Sequence, residues 1–233
     1  MSRVVEPSTL LLGGPQCIPP PKLHFPLTPP PGSLSTALYD PYRAPVSAVF
    51  DHDGPFNQVN GAVRAYNGER GSLNPVIDDG VYGYRRDDGQ LFQLPLLKYS
   101  DGGIGQAGND YLFYDGHTGY DYAAGEWTPV RAADDGVVQL TANSYNEVIL
   151  HHSDGGHTTH YLHMKLPPYL PVLDGQSVKK GQLIGYVSDT STGQPVGAHL
   201  HLTVKTGGAN GTPVDPYGDG TNTRLLWEQL PLQ

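Results

Sequence analysis

The 233-residue chain has one cysteine, 14 Lys and Arg against 23 Asp and Glu, and almost no stretch with helical periodicity. Each shortage removes a class of protein. With Cys17 alone there is no intrachain disulfide and no multi-cysteine zinc knuckle. A formal net charge of −9 with no basic stripe excludes an electrostatic grip on nucleic acid or on an anionic membrane. No apolar run approaches the ~18 residues that a membrane helix needs. The opening MSRVVEPSTLLLGG has only the patch Leu10 to Leu12. It lacks the charged segment and long apolar segment of a signal peptide.

What the chain has instead is 30 glycines and 22 prolines, which oppose helix by different routes. Eleven of the prolines lie in residues 1–45, including Pro19-Pro20-Pro21 and Pro29-Pro30-Pro31. That stretch reads as an extended, polyproline-like arm or linker. From residue 46 short apolar or alternating runs are broken by Gly, Asn and Asp. Candidate strands are Val46 to Phe50, Ala62 to Tyr66, Val81 to Tyr84, Leu91 to Leu97, Gly136 to Leu140, Glu147 to His152, Thr158 to Met164, Leu183 to Val187 and Leu200 to Lys205. One short helical turn is expected at Thr223 to Gln229. The expected fold is all-β, with antiparallel sheets in a sandwich or small barrel-like core.

Eight of the ten histidines fall between His117 and His201, in three informative segments. In His117-Thr-Gly-Tyr-Asp121, an imidazole and a carboxylate can converge on one ion if the chain turns at Gly119, and Tyr120 to Ala124 reads as entry to a buried strand. In Ala198-His-Leu-His-Leu-Thr-Val204, strict alternation places His199 and His201 on one strand face, with Leu200, Leu202 and Val204 behind them. One of the two can ligate while the other reaches a water. In Thr158-Thr-His-Tyr-Leu-His163, alternation gives His163 the company of Thr159 and Tyr161, and leaves His160 with Leu162 and Met164. That favours His163 for chemistry and His160 for packing. His24, His52, His151, His152 and His157 read as surface or structural residues. Two His and one Asp, with two further His beside them, are the inventory of a catalytic zinc site that keeps a position for water.

These segments, in this order, resemble the M23 zinc metallopeptidases, the lysostaphin-like or LytM-like peptidoglycan endopeptidases. The resemblance rests on His117-x-x-x-Asp121, Tyr161-x-His163 and His199-x-His201, with flanks such as GYDYAAGEWTPVRAADDGVV and VLDGQSVKKGQLIGYVSDTSTGQPVGAHLHLTV, over about residues 110–216. It implies one zinc ion per chain, bound by His117, Asp121 and His201. It implies His163 and His199 as the catalytic pair beside the bound water. Tyr111 and Tyr114 are the candidates for a tyrosine that contacts substrate at the oxyanion. The implied reaction is hydrolysis of peptide bonds in peptidoglycan cross-links or stem peptides. A LytM-like module that only binds wall peptide, or regulates another hydrolase, is the alternative. An extracellular or envelope location is implied, a phage lysin included. The implied organisation is an arm (1–45), a β-rich part packed on the core (46–109), the catalytic core (110–216) and a tail (217–233). Residues 106–215 hold 5 Lys and Arg against 11 Asp and Glu, so this core has no electrostatic hold on an anionic envelope.

Overall fold

A computed structural model describes residues 22–27, 44, 46–52, 116–141, 143–153, 155–188, 197–218 and 226–228, and the backbone of 83–85 and 91–93. The described residues form twelve strands: β1 (Val46–Ala48), β2 (Gly83–Arg85), β3 (Leu91–Gln93), β4 (Tyr120–Ala123), β5 (Pro129–Arg131), β6 (Gly136–Leu140), β7 (Val148–His152), β8 (His157–Leu162), β9 (Ser177–Val178), β10 (Leu183–Tyr186), β11 (His199–Thr206) and β12 (Thr212–Val214). The described residues contain no helix, so none that is long and apolar enough to cross a membrane. The all-β expectation holds. The expected strand Ala62 to Tyr66 lies outside the described residues. At the C-terminus, Trp227 forms a β-bridge to Leu23 where a helical turn was expected.

Eight strands form one antiparallel sheet in the order β1-β4-β11-β8-β7-β6-β9, with β12 also on β11. β5 and β10 pair in a second, small sheet, and β2 pairs with β3. The register of the large sheet sorts its side chains. Leu202 lies opposite Tyr161 and Tyr120, and Leu200 opposite Tyr122. These residues, with Val204, Leu150 and Val138, enter a core shared with Val130, Ala132 and Ile184 of the small-sheet region. The opposite face carries His201 against Asp121 and Leu162, then Thr203 against His160. Strand period two therefore divides the sheet into an apolar underside and a polar upper face.

Buried tyrosines keep their hydroxyls paired. Tyr120 donates to Asp215 Oδ2 at 2.9 Å, Tyr122 and Tyr217 hydroxyls meet at 2.9 Å, and the Ala133 N–H donates to the Tyr161 hydroxyl at 2.8 Å. Burial pushes the Tyr161 phenol up, so it remains neutral.

The proline-rich stretch contributes to this core. Leu23, Phe25 and Leu27 are buried, and Phe25 meets Tyr122 (5.0 Å, 84°) and Trp227 (5.5 Å, 73°) edge to face. Such pairs add about 0.5–1.5 kcal/mol each beyond their area. Backbone bonds from His24 to the Ala133 carbonyl and from Arg131 to the Pro26 carbonyl, both 2.7 Å, fix the segment along β5.

On the upper face, away from the His117 cluster, His160 Nδ1 donates to Glu147 Oε1 at 2.7 Å and His160 Nε2 lies 3.1 Å from Thr158 Oγ1. His160 thus has a polar partner rather than the purely apolar surroundings that alternation suggests. Burial lowers the His160 pKa from its usual 6.5, against the raising effect of Glu147. For Glu147, burial raises the pKa, but the His160, Asn143 and Thr141 contacts outweigh it, and the net shift from 4.5 is downward. Both signs agree. Below about pH 6.5 the unfolded chain takes up a proton that folded His160 resists, and further acidification through the Glu147 range removes its contribution too. The metal-free protein is therefore expected to melt at a lower temperature at pH 5 than at pH 7.5. Calorimetry of a Glu147→Gln/His160→Gln double variant checks this, because its pH dependence is expected to be shallower.

Candidate active site

Two neighbouring strands supply the centre. β4 presents Asp121 and β11 presents His201 in direct register, and His117 arrives on the loop that enters β4. Gly119 permits this approach: a Cβ there would lie 2.2 Å from the Leu202 carbonyl oxygen. His117 Nε2, Asp121 Oδ1 and His201 Nδ1 form a triangle with edges of 3.3, 3.0 and 2.8 Å. His117, Asp121 and His201 are the only group of three or more metal-type side chains that converge among the described residues.

The rings are oriented from behind. His117 Nδ1 donates to the Val49 carbonyl at 2.6 Å, because a carbonyl can only accept, and this leaves the Nε2 lone pair facing the triangle. His201 Nε2 lies 2.8 Å from Thr203 Oγ1; with its N–H given to that hydroxyl, Nδ1 faces inward. Three electron-pair donors then point at one spot. Tetrahedral zinc with bonds of about 2.0–2.2 Å sets its ligands roughly 3.3 Å apart, close to these edges. The donor set and its outer partners fit such an ion.

Charge follows the same pattern. Burial would raise Asp121, but His117, His199 and His201 outweigh it and hold the carboxyl well below the usual range. Burial lowers His201, and the Asp121 contact, which raises it, does not cancel that effect. A buried anion beside two imidazoles is thereby kept ionised.

His199 and His163 stand beside the triangle. Their ring centroids are 4.5 Å apart, and His163 is 6.3 Å from the His201 ring. His199 Nδ1 donates to the Gly197 carbonyl at 2.9 Å, which directs Nε2 toward Asp121 Oδ2, 3.9 Å away. The expected alternation holds for His199 and His201 and fails for His163. Strict alternation would put His163 under the sheet with Thr159 and Tyr161, which line the core. Instead β8 ends at Leu162, and His163 adopts a left-handed φ of 63° that turns its ring to the upper face and returns Met164 to the core. Its Nδ1 is buried with no hydrogen-bond partner among the described residues. Burial, reinforced by His199, pushes this imidazole down to about 4. A left-handed backbone and a buried ring nitrogen without a protein partner at one residue fit a side chain placed for ligand contact rather than for packing.

Other sequence expectations resolve differently. His151 pairs with Gln139 at 2.6 Å, and His152 bridges the Asp135 carbonyl and Thr159 at 3.0 and 2.9 Å. His52 lies 2.8 Å from Asp215 Oδ2. Tyr111 and Tyr114 fall outside the described residues. Sequence reasoning missed Val49, Asp51 and Thr203. The Asp51 N–H donates to the His117 carbonyl at 2.8 Å and Asp51 Oδ2 accepts from the Gly116 N–H at 2.9 Å, so residues 49–51 clasp the His117 loop. Thr203 was legible in part, since it follows His201 at the next same-face position.

The span containing these residues also matches known proteins: residues 115–216 fit the model of Peptidase family M23. The chain carries an M23 peptidase domain. This M23 domain is 39% identical over 103 residues to DD-carboxypeptidase/endopeptidase Mpg of Neisseria meningitidis serogroup B, covering 43% of this chain and 22% of that protein. It is 37% identical over 105 residues to glycyl-glycine endopeptidase ALE-1 of Staphylococcus capitis, covering 43% and 28%. The chain thus spans less than a third of the length of either relative. Among solved structures, the lysostaphin catalytic domain from Staphylococcus simulans aligns at 29% identity and a TM-score of 0.40, over 51% of this chain and 86% of that one.

Proposed function

We propose that the M23 domain is a zinc-dependent endopeptidase acting on peptide bonds of peptidoglycan, in cross-links or stem peptides, at the cell envelope or outside the cell. The observation that carries the reading is the triangle of His117 Nε2, Asp121 Oδ1 and His201 Nδ1 with two further imidazoles at its side. The names of Mpg and ALE-1 support the endopeptidase class.

His117, Asp121 and His201 would hold one zinc ion. When bound, zinc lowers the pKa of water to about 7 and polarises a carbonyl. The protein's own groups do the rest. His199, with Nδ1–H committed to Gly197, accepts a proton at Nε2, where the Asp121 carboxylate steadies the resulting imidazolium. His163, held across from it by the left-handed turn, hydrogen-bonds the oxygen on which negative charge develops. Proton return from His199 to the leaving amine completes hydrolysis. In this reading residues 110–216 are the catalytic core and 1–45, 46–109 and 217–233 flank it, with Leu23, Phe25, Leu27, Leu226 and Trp227 of the flanking segments packed into the core.

Incubating zinc-loaded protein with peptidoglycans of defined cross-link, followed by mass spectrometry, is expected to release fragments differing from the parent by one water across a single peptide bond. Binding of the same material without any cleavage would overturn this reading in favour of a wall-peptide-binding module.

A further inference from the structure

The turn between β4 and β5 carries an aromatic residue in an unusual position. Trp127 has φ of 67°, a region that glycine enters freely and a bulky side chain does not. Its ring is not there to fill the core, being 46% exposed. Backbone bonds secure the turn: the Trp127 N–H donates to the Val187 carbonyl and the Val187 N–H to the Thr128 carbonyl, each 2.9 Å. Strain maintained at an exposed aromatic points to use of that ring by a ligand.

Trp127 has company. Tyr169, 54% exposed, meets it edge to face at 5.1 Å, and Tyr186 lies at 6.0 Å. Lys165 Nζ sits 4.6 Å from the Trp127 ring centroid and is ion-paired with Glu126, so the charges within the ledge cancel. The ledge also joins the active site. Lys165 follows His163 by two residues and donates its N–H to the Tyr186 carbonyl, while the Ser188 N–H donates to the His163 carbonyl, each at 2.8 Å. By register, the ends of β4 and β8 that lead to Trp127 and Lys165 are the ends beside His199.

The chemistry of the occupant follows from these features. With a net charge of −9 the chain cannot hold an anionic polymer by charge, and the ledge itself is neutral. Flat aromatic faces take flat rings edged with C–H groups, and the tyrosine hydroxyls, Lys165 and Glu126 offer hydrogen bonds to hydroxyl and amide groups. We propose that Trp127, Tyr169 and Tyr186 form a subsite for an N-acetylhexosamine ring of the glycan strand, next to the peptide that is cleaved. The proposal rests on the peptidase reading only for the source of the sugar.

The protein has two tryptophans, and Trp227 is 2% exposed, so fluorescence changes on ligand binding report Trp127. Titrating the zinc-loaded protein with a β-1,4-linked N-acetylglucosamine tetramer is expected to give a saturable shift. Its midpoint should be insensitive to salt between about 0.05 and 0.5 M, as an uncharged contact requires. Tyr169→Ala, which keeps the reporter, is expected to weaken it about tenfold at unchanged zinc content and circular dichroism. The same variant should lower the ratio of cleavage of glycan-bearing to glycan-free peptide at least threefold, an order-of-magnitude expectation for a lost stacking contact. No saturable shift, an equal shift with Tyr169→Ala, or a shift produced only by sugar-free peptide would overturn the subsite. Peptide cleavage without sugar binding defeats the subsite alone, and sugar binding without cleavage defeats the peptidase reading alone.

Discussion

Replacing His201 with alanine is expected to abolish zinc retention and to lower kcat/KM by at least about a thousandfold, equivalent to about 4 kcal/mol of transition-state stabilisation. The size follows from the position of the residue. His201 Nδ1 closes the triangle at 2.8 Å from Asp121 Oδ1 and 3.0 Å from His117 Nε2, and the whole ring is buried. Its removal leaves a carboxylate and one imidazole, too few for the three protein ligands of a catalytic zinc site. Elemental analysis should find close to one zinc per wild-type chain and almost none in the variant. Thr203→Val provides a graded comparison. It preserves the shape but removes the oxygen 2.8 Å from His201 Nε2, and a loss of roughly 10–100-fold in metal affinity is expected. Wild-type zinc content and activity in His201→Ala would refute the ligand assignment.

Gly119→Ala is expected to cost about 3 kcal/mol or more of stability. The new Cβ would meet the Leu202 carbonyl oxygen at 2.2 Å, its carbon at 2.8 Å and Thr203 Oγ1 at 2.8 Å. Two of those atoms are backbone and cannot rotate away. Relief requires β4 to separate from β11, which moves His117 and Asp121 away from His201 and extends the damage to the metal site. A fall in Tm of roughly 10 °C is expected for a domain of this size. Gly125→Ala is the control, since nothing lies within 4 Å of its Cβ. Equal melting of the two variants would show that the close approach does not constrain the fold.

Local periodicity carried much of the site. His199 and His201 alternate with Leu200 and Leu202, and the chain folds as that pattern dictates, because burying the leucines fixes where the histidines point. His163 shows the limit of the same rule. Alternation selected it by the company of Tyr161, yet Tyr161 lies under the sheet, and only a left-handed residue brings His163 to the upper face. Alternation misplaces the face of His163, because a local φ is not encoded in strand period.

Long-range partners were illegible for a different reason. Val49 holds His117 through its carbonyl, a group every residue has, so no residue type announces it. Lys22 to Leu27 illustrates a third case: prolines on either side mark it as an extended arm, while the alternation of Leu23, Phe25 and Leu27 is what inserts it into the core. Extended conformation was legible, but its burial against Tyr122 and Trp227 was not.

The direct pairing of Asp121 with His201 has a consequence for assembly of the domain. A slip of β11 by one position would put leucine where the imidazole belongs. A slip by two would keep every face correct and still separate the donors by a full repeat along the strand. Hydrophobic burial cannot tell the native arrangement from the second error, whereas a cation can when the slip brings Thr203 to Asp121, because no β11 imidazole then stands there. A bound zinc ion would then favour the native pairing over that slipped one during refolding.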